Sequence, residues 1–192
     1  MIILTIANQD IRRFDPEAVN TNMIIIPHMQ KEYKKLIEEY CSAIKNHFTN
    51  RLISICLFGS VAREEAKPDS DIDILIVAEA FPKDIGMRIK ETNEIHEFLK
   101  KSEAYIILQK SYRSGLVSDI FFTSAEIKKH PPILLDIIDD GIILYDKGSF
   151  LSNELKILKN RLESQMARKI ITAKGHFWIL KPDVAAGEVV EL

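Results

Sequence analysis

The stretch Leu57–Val77, LFGSVAREEAKPDSDIDILIV, decides how this chain is read. Leading into it, Arg51–Phe58, RLISICLF, is a short run rich in Ile and Leu that stops at Gly59-Ser60, the pattern of a buried strand ending in a turn. After the turn signal Pro68-Asp69-Ser70, Asp71–Ala78, DIDILIVA, is a second apolar run whose β-branched residues favour a strand over a helix. Carboxylates therefore open the second strand. Side chains alternate between faces along a strand, so Asp71 and Asp73 project the same way, about 7 Å apart.

Each part of this stretch suits phosphoryl chemistry. Magnesium prefers carboxylates together with phosphate oxygens, and two ions roughly 3.5 to 4 Å apart can clamp the attacking and leaving oxygens of a displacement. Gly59 lets the backbone approach a phosphate closely, while Ser60 offers a hydroxyl and opens a short helix whose free amides favour an anion. A third carboxylate from another strand would complete the metal cage and could act as general base. Asp119, interrupting the apolar run Gly115–Phe122, GLVSDIFF, is the candidate; its bland alternative is an ion pair with a neighbouring lysine. Arg63 suits a phosphate as a bidentate donor and equally suits pairing with Glu64, Glu65 or Asp69, so it stays outside the core site.

Outward from the centre, Gln30–Asn50 places Tyr33, Leu36, Ile37, Tyr40, Cys41, Ile44 and Phe48 at the spacing of a helix buried along one face. Met87–Lys101 has helical spacing, Ala104–Gln109 reads as a third strand, and Gly115–Phe122 as a fourth. Ser124 is a possible cap for a short helix. Pro132–Ile138 reads as a helix closed by Gly141, and Ile142–Tyr145 as a further strand. Leu151, Leu155, Leu158, Leu162 and Met166 define a long amphipathic helix, and Lys174–Leu192 reads as an arm in which Trp178 and Phe177 pin the chain to the core. The five histidines are scattered and receive no catalytic role.

With these residues in place, a strand followed by Gly-Ser, ten residues and Asp-x-Asp resembles the signature of the DNA polymerase beta superfamily, especially its small stand-alone nucleotidyltransferases. The likeness is tight over residues 53–76 and looser to Asp146. It implies an α/β (α+β) chain, a mixed β-sheet flanked by helices in the nucleotidyltransferase fold, with a C-terminal long helix and arm. It implies that Gly59 and Ser60 bind the triphosphate of an NTP, ATP foremost, and that Asp71, Asp73 and Asp119 ligate Mg2+, with two ions expected. The reaction would move a nucleoside monophosphate to a hydroxyl acceptor with release of pyrophosphate. Small proteins of this kind often accompany a HEPN-domain protein as antitoxins, neutralising it by adenylylation or by binding; here any HEPN partner has to be a separate chain. One departure is Glu64-Glu65, where many small members carry glycine after the Ala-Arg pair.

Composition sets the outer bounds. The chain has 192 residues, 46% of them hydrophobic and 28% charged, which suits one folded domain. We divide it into a segment 1–29 of undefined role, a nucleotidyltransferase domain 30–146, and a helix and arm 147–192 packed on that domain. A formal net charge of -2 supplies no global positive field for a polyanion. Lys156–Lys174 is locally basic, so nucleic acid as an acceptor stays open, as does self-association. Cys41 and Cys56 lie in apolar stretches without ligand spacing and read as buried thiols, fitting a reducing, cytoplasmic setting. Neither a secretion signal nor a membrane span is expected.

Overall fold

The computed structural model describes residues 31–172 and 175–182. The expectations for residues 1–29, for Lys174 and for the end of the arm fall outside them.

A four-stranded sheet in the order β3-β2-β1-β4 organises the molecule. Its centre is β1, Leu52–Phe58, antiparallel to β2, Ile72–Ala78, and to β4, Ile142–Asp146. The edge strand β3, Val117–Phe122, runs parallel to β2, pairing Ile72 with Val117, Asp73 with Ser118 and Ile74 with Asp119. A parallel neighbour needs a crossover. Here α3, Ile85–Leu99, and α4, Glu103–Lys110, supply it.

Ala104–Gln109 is therefore helical and not the strand its β-branched run suggests. Ser102 Oγ accepts a hydrogen bond from the Tyr105 amide at 3.2 Å, which caps the helix, and Glu103 sits in the first turn. Ala104 and Leu108, four apart, are its buried positions, while Ile106 and Ile107 face solvent. The i, i+4 pair and the cap outweigh intrinsic strand preference.

One sheet face carries Ile55, Leu57, Ile72, Ile74 and Ile76, covered by α1, Lys31–Phe48, with α3 and α4. All seven residues expected on the inner face of α1 are buried. The other face carries Cys56, Phe58, Leu75 and Val77. It packs against α5, Ser124–Ile127, α6, Leu134–Asp140, and α7, Phe150–Ser164, through Ile127, Leu134, Ile137, Leu151, Leu155, Leu158 and Leu162. Each such Leu or Ile contributes about 1.5–3 kcal/mol by leaving water. Cys41 and Cys56 are buried thiols on opposite faces, and burial pushes the Cys41 thiol up to about 12.

Polar groups fasten the helices to this frame. Asp146, at the end of β4, accepts from Ser54 Oγ at 2.8 Å and from the Leu151 and Ser152 amides at 2.9 and 3.0 Å, fixing the start of α7. The buried Arg88 of α3 donates to Phe121 O of β3 at 3.1 Å and to both carboxylate oxygens of Glu126 in α5 at 2.8 Å. Thr123, not Ser124, caps α5, with Glu126 closing a reciprocal capping box.

After α7, which ends at Ser164, β5, Arg168–Thr172, pairs antiparallel with β6, Gly175–Ile179, which opens the expected arm. Lys169 Nζ lies 2.8 Å from Asp139 Oδ2, and His176 Nε2 lies 3.0 Å from Asp136 Oδ1, both acids on α6. Trp178 packs against the second core as expected, whereas Phe177 is on the other side of the hairpin and exposed. Among the described residues, no helix is long and apolar enough to cross a membrane.

Candidate functional site

The antiparallel pairing sets Phe58 at the end of β1 beside Asp73 near the start of β2, so Gly59 follows directly against the second aspartate. Gly59 has φ +71°, in the left-handed region that L side chains avoid. A Cβ there would overlap Asp73 Oδ2 and stand 3.1 Å from its Cγ. The glycine is thus required twice, for its backbone angle and for the carboxylate packed on it.

From Gly59 the chain enters α2, Gly59–Ala62, a single turn with Val61 and Ala62 buried beneath it. Its C-terminus is a Schellman motif: the Glu65 amide donates to Ser60 O at 2.9 Å and the Glu64 amide to Val61 O at 3.3 Å. Glu64 occupies the left-handed position of that motif, φ +62°, which glycine fills without strain. Both Glu64 and Glu65 are exposed, and Arg63 Nε donates to Glu65 Oε2 at 3.0 Å. The extra acids noted in the sequence thus face solvent, where repulsion of a phosphate is screened.

Asp71 and Asp73 are both partly buried. Burial raises the Asp73 carboxyl above the ordinary carboxylate range, the neighbouring Asp71 charge raises it further, and Arg63 pulls it back. An anion that its surroundings disfavour, next to a second anion, is a place where a hard cation would relieve both burdens.

Asp119 does not join this pair. Parallel partners share a face, and its partner is Ile74, in the core beneath α1 and α3; Asp73 shares its face with Leu75 and Val77. The Asp119 carboxylate is nearly enclosed and receives the Tyr40 hydroxyl of α1 at 2.5 Å, His96 Nε2 of α3 at 2.7 Å and the Thr92 hydroxyl at 3.3 Å. Burial and the Asp119 charge push the Tyr40 phenol well above its usual value, so it stays a donor. The residue of β3 that pairs with Asp73 is Ser118. Among the described residues, no group of three or more His, Cys, Asp or Glu gathers as a metal cage. Tyr40, Thr92 and His96 escaped sequence reasoning because what joins them is a strand register.

The sequence profile of the nucleotidyltransferase domain matches residues 33–143 of the chain. Over 133 residues the chain is 32% identical to a Methanocaldococcus jannaschii protein named "Putative protein adenylyltransferase MJ1305", covering 68% of this chain and 83% of that one. Protein adenylyltransferase MntA of Thermococcus cleftensis is 29% identical over 90 residues, 47% of this chain and 87% of its own. Among solved structures, a chain of a toxin–antitoxin crystal structure with AMP-PNP aligns at TM-score 0.43 and 13% identity, covering 71% of this chain and 94% of that chain. The matched span runs from α1 to the start of β4 and so contains β1, β2 and β3 together with the Gly59-Ser60 turn and both aspartates. This chain belongs to the nucleotidyltransferase domain family, and it is a nucleotidyltransferase.

Proposed function

We propose that the chain moves the nucleoside monophosphate of an NTP, ATP foremost, to a hydroxyl acceptor, using Gly59 and Ser60 to seat the triphosphate and Asp71 and Asp73 to hold magnesium. The observation that carries this reading is the packing of Gly59 against the Asp73 carboxylate, beside Asp71. It sets the backbone of the turn directly on the Asp73 carboxylate, so a triphosphate seated on the turn can share a cation with that carboxylate.

The donor set fits a hard divalent cation: two carboxylates opening one strand, with Asp73 disfavoured as an anion by burial and by Asp71. Magnesium held there would neutralise the phosphate oxygens and favour loss of pyrophosphate. The chain's own residues orient the reactants. In this reading the first amides of α2 and the Ser60 hydroxyl take the triphosphate, and the Schellman motif fixes the far end of that turn. The acceptor oxygen then attacks the α-phosphorus, the bond to the bridging oxygen of the β-phosphate breaks, and pyrophosphate leaves with that electron pair.

The names of the two relatives favour a protein as acceptor. In this reading the acceptor is a side-chain hydroxyl of a separate HEPN-domain chain, neutralised by adenylylation or by binding. Incubation of that chain with this protein, ATP and magnesium should add the mass of AMP to it; a stable complex without added mass would leave binding as the activity.

The test of the site is titration calorimetry of ATP with and without magnesium, on wild type and on the Asp71→Asn/Asp73→Asn double variant. Magnesium-dependent binding by wild type, lost in the variant, is the expected result. Equal binding by both would remove the aspartates from the site.

A further inference from the structure

We propose that Ser118 is the β3 residue of the nucleotide site, which therefore presents two carboxylates and a hydroxyl, while Asp119 serves only to fasten the helices of the opposite face. The proposal rests on the reading of Asp71 and Asp73 given above.

The geometry comes from one register. Ser118 pairs with Asp73 on the neighbouring parallel strand, so both side chains leave the sheet on the same face. Two further β3 residues confirm the parity: Ile120 and Phe122 pack with Leu75 and Val77 on that face, whereas Val117 and Phe121 lie in the core of the other. Ser118 is partly exposed, as a residue at an open site should be.

Asp119 is engaged on the other face. Its two oxygens already take Tyr40, Thr92 and His96 from two helices. Bringing it to the nucleotide face needs a one-residue slip of β3, which would also carry Val117 and Phe121 out of their core.

A neutral hydroxyl cannot act as the base that a third carboxylate would provide. The chain accordingly contributes two negative charges at the cation instead of three, and the acceptor's proton leaves to solvent.

Three variants test this with magnesium and ATP as probes. Ser118→Asp should tighten magnesium-dependent ATP binding by about tenfold, because affinity for a hard cation follows the charge of its ligands. Asp119→Asn should leave that binding within about threefold of wild type while lowering the melting temperature, since it weakens buried hydrogen bonds and not a ligand. Ser118→Cys, nearly isosteric, provides a readout independent of both: its alkylation should slow markedly when ATP and magnesium are added. The native thiols are buried with raised pKa values and give little background.

The proposal is overturned if Asp119→Asn folds and loses magnesium-dependent binding, or if the Ser118→Cys thiol ignores ATP and magnesium that wild type binds. It is also overturned if a folded Ser118→Asp variant binds no more tightly. Absence of magnesium-dependent binding in wild type itself is a different result, and refutes the assignment of Asp71 and Asp73 first.

Discussion

Replacing Gly59 with alanine separates two demands that the site makes on one residue. The first is conformational: an L residue in the left-handed region costs about 1–2 kcal/mol. Gly148 measures that cost alone, since it has nearly the same angle, φ +61°, and a Cβ there meets nothing within 4 Å. For a chain of this length about 1 kcal/mol moves the melting temperature by about 2–4 °C, so Gly148→Ala should melt a few degrees low and bind ATP normally. The second demand is steric. The Gly59→Ala methyl overlaps Asp73 Oδ2, and ordinary contact requires the carboxylate to retreat by about 1 Å. A displacement of that size at reacting groups costs about 10²-fold in rate. Thermal melts of both variants, followed by calorimetry with ATP and magnesium and by pyrophosphate release, read the two demands independently. Gly59→Ala should lose at least as much stability as Gly148→Ala and, beyond it, most of its magnesium-dependent binding. If the two variants melt alike and bind ATP alike, the contact between Gly59 and Asp73 does not set the geometry of the site.

Glu64→Gly should stabilise the fold by up to about 1 kcal/mol, because glycine fills the left-handed position of the Schellman motif without strain; a melt lower than wild type would mean that the Glu64 side chain contributes more than its backbone angle costs. Glu126→Gln should cost about 1–2 kcal/mol at neutral pH, reduced from the value for a fully buried pair because the carboxylate is about a third exposed. The Arg88 hydrogen bonds hold the Glu126 carboxyl at about 2, below its ordinary 4.5. A depressed carboxylate contributes stability that is complete above the unfolded value and is lost as pH falls through the folded one. The melting-temperature gap between wild type and Glu126→Gln should thus be full above pH 5 and close progressively toward about pH 2; a gap independent of pH would assign the loss to packing.

Much of the fold could be read directly because its central strands are buried on both faces and its longest helix on one. RLISICLF and DIDILIVA are unbroken apolar runs of strand length, and the α1 positions repeat at helical spacing. The same rule misassigned AYIILQ. In α4, two Ile residues face solvent, and the informative signals were the Ser102 cap and the small Ala104 four residues before Leu108. The approach of Gly59 to Asp73, beside Asp71, was legible because these residues are close in sequence and their geometry depends on one turn. Asp119 was not, because whether it or Ser118 faces Asp73 depends on how β3 aligns with β2 across the crossover through α3 and α4. A shift of one residue exchanges the two, and nothing local in GLVSDIFF specifies it.

The C-terminal hairpin leaves a spectroscopic consequence. The chain's only tryptophan, Trp178, is in β6, packed on the α6–α7 side of the molecule, while one polar contact to α6 from each strand, Lys169 of β5 and His176 of β6, holds the hairpin there. Indole emission therefore monitors a peripheral element and not the central sheet. Added salt screens the Lys169–Asp139 ion pair but leaves the apolar sheet core untouched. A red shift of the emission during heating or on raising salt, ahead of any loss of backbone ellipticity, would mark the hairpin undocking as a separate event, and a melt followed by fluorescence alone would then understate the stability of the domain that carries the chemistry.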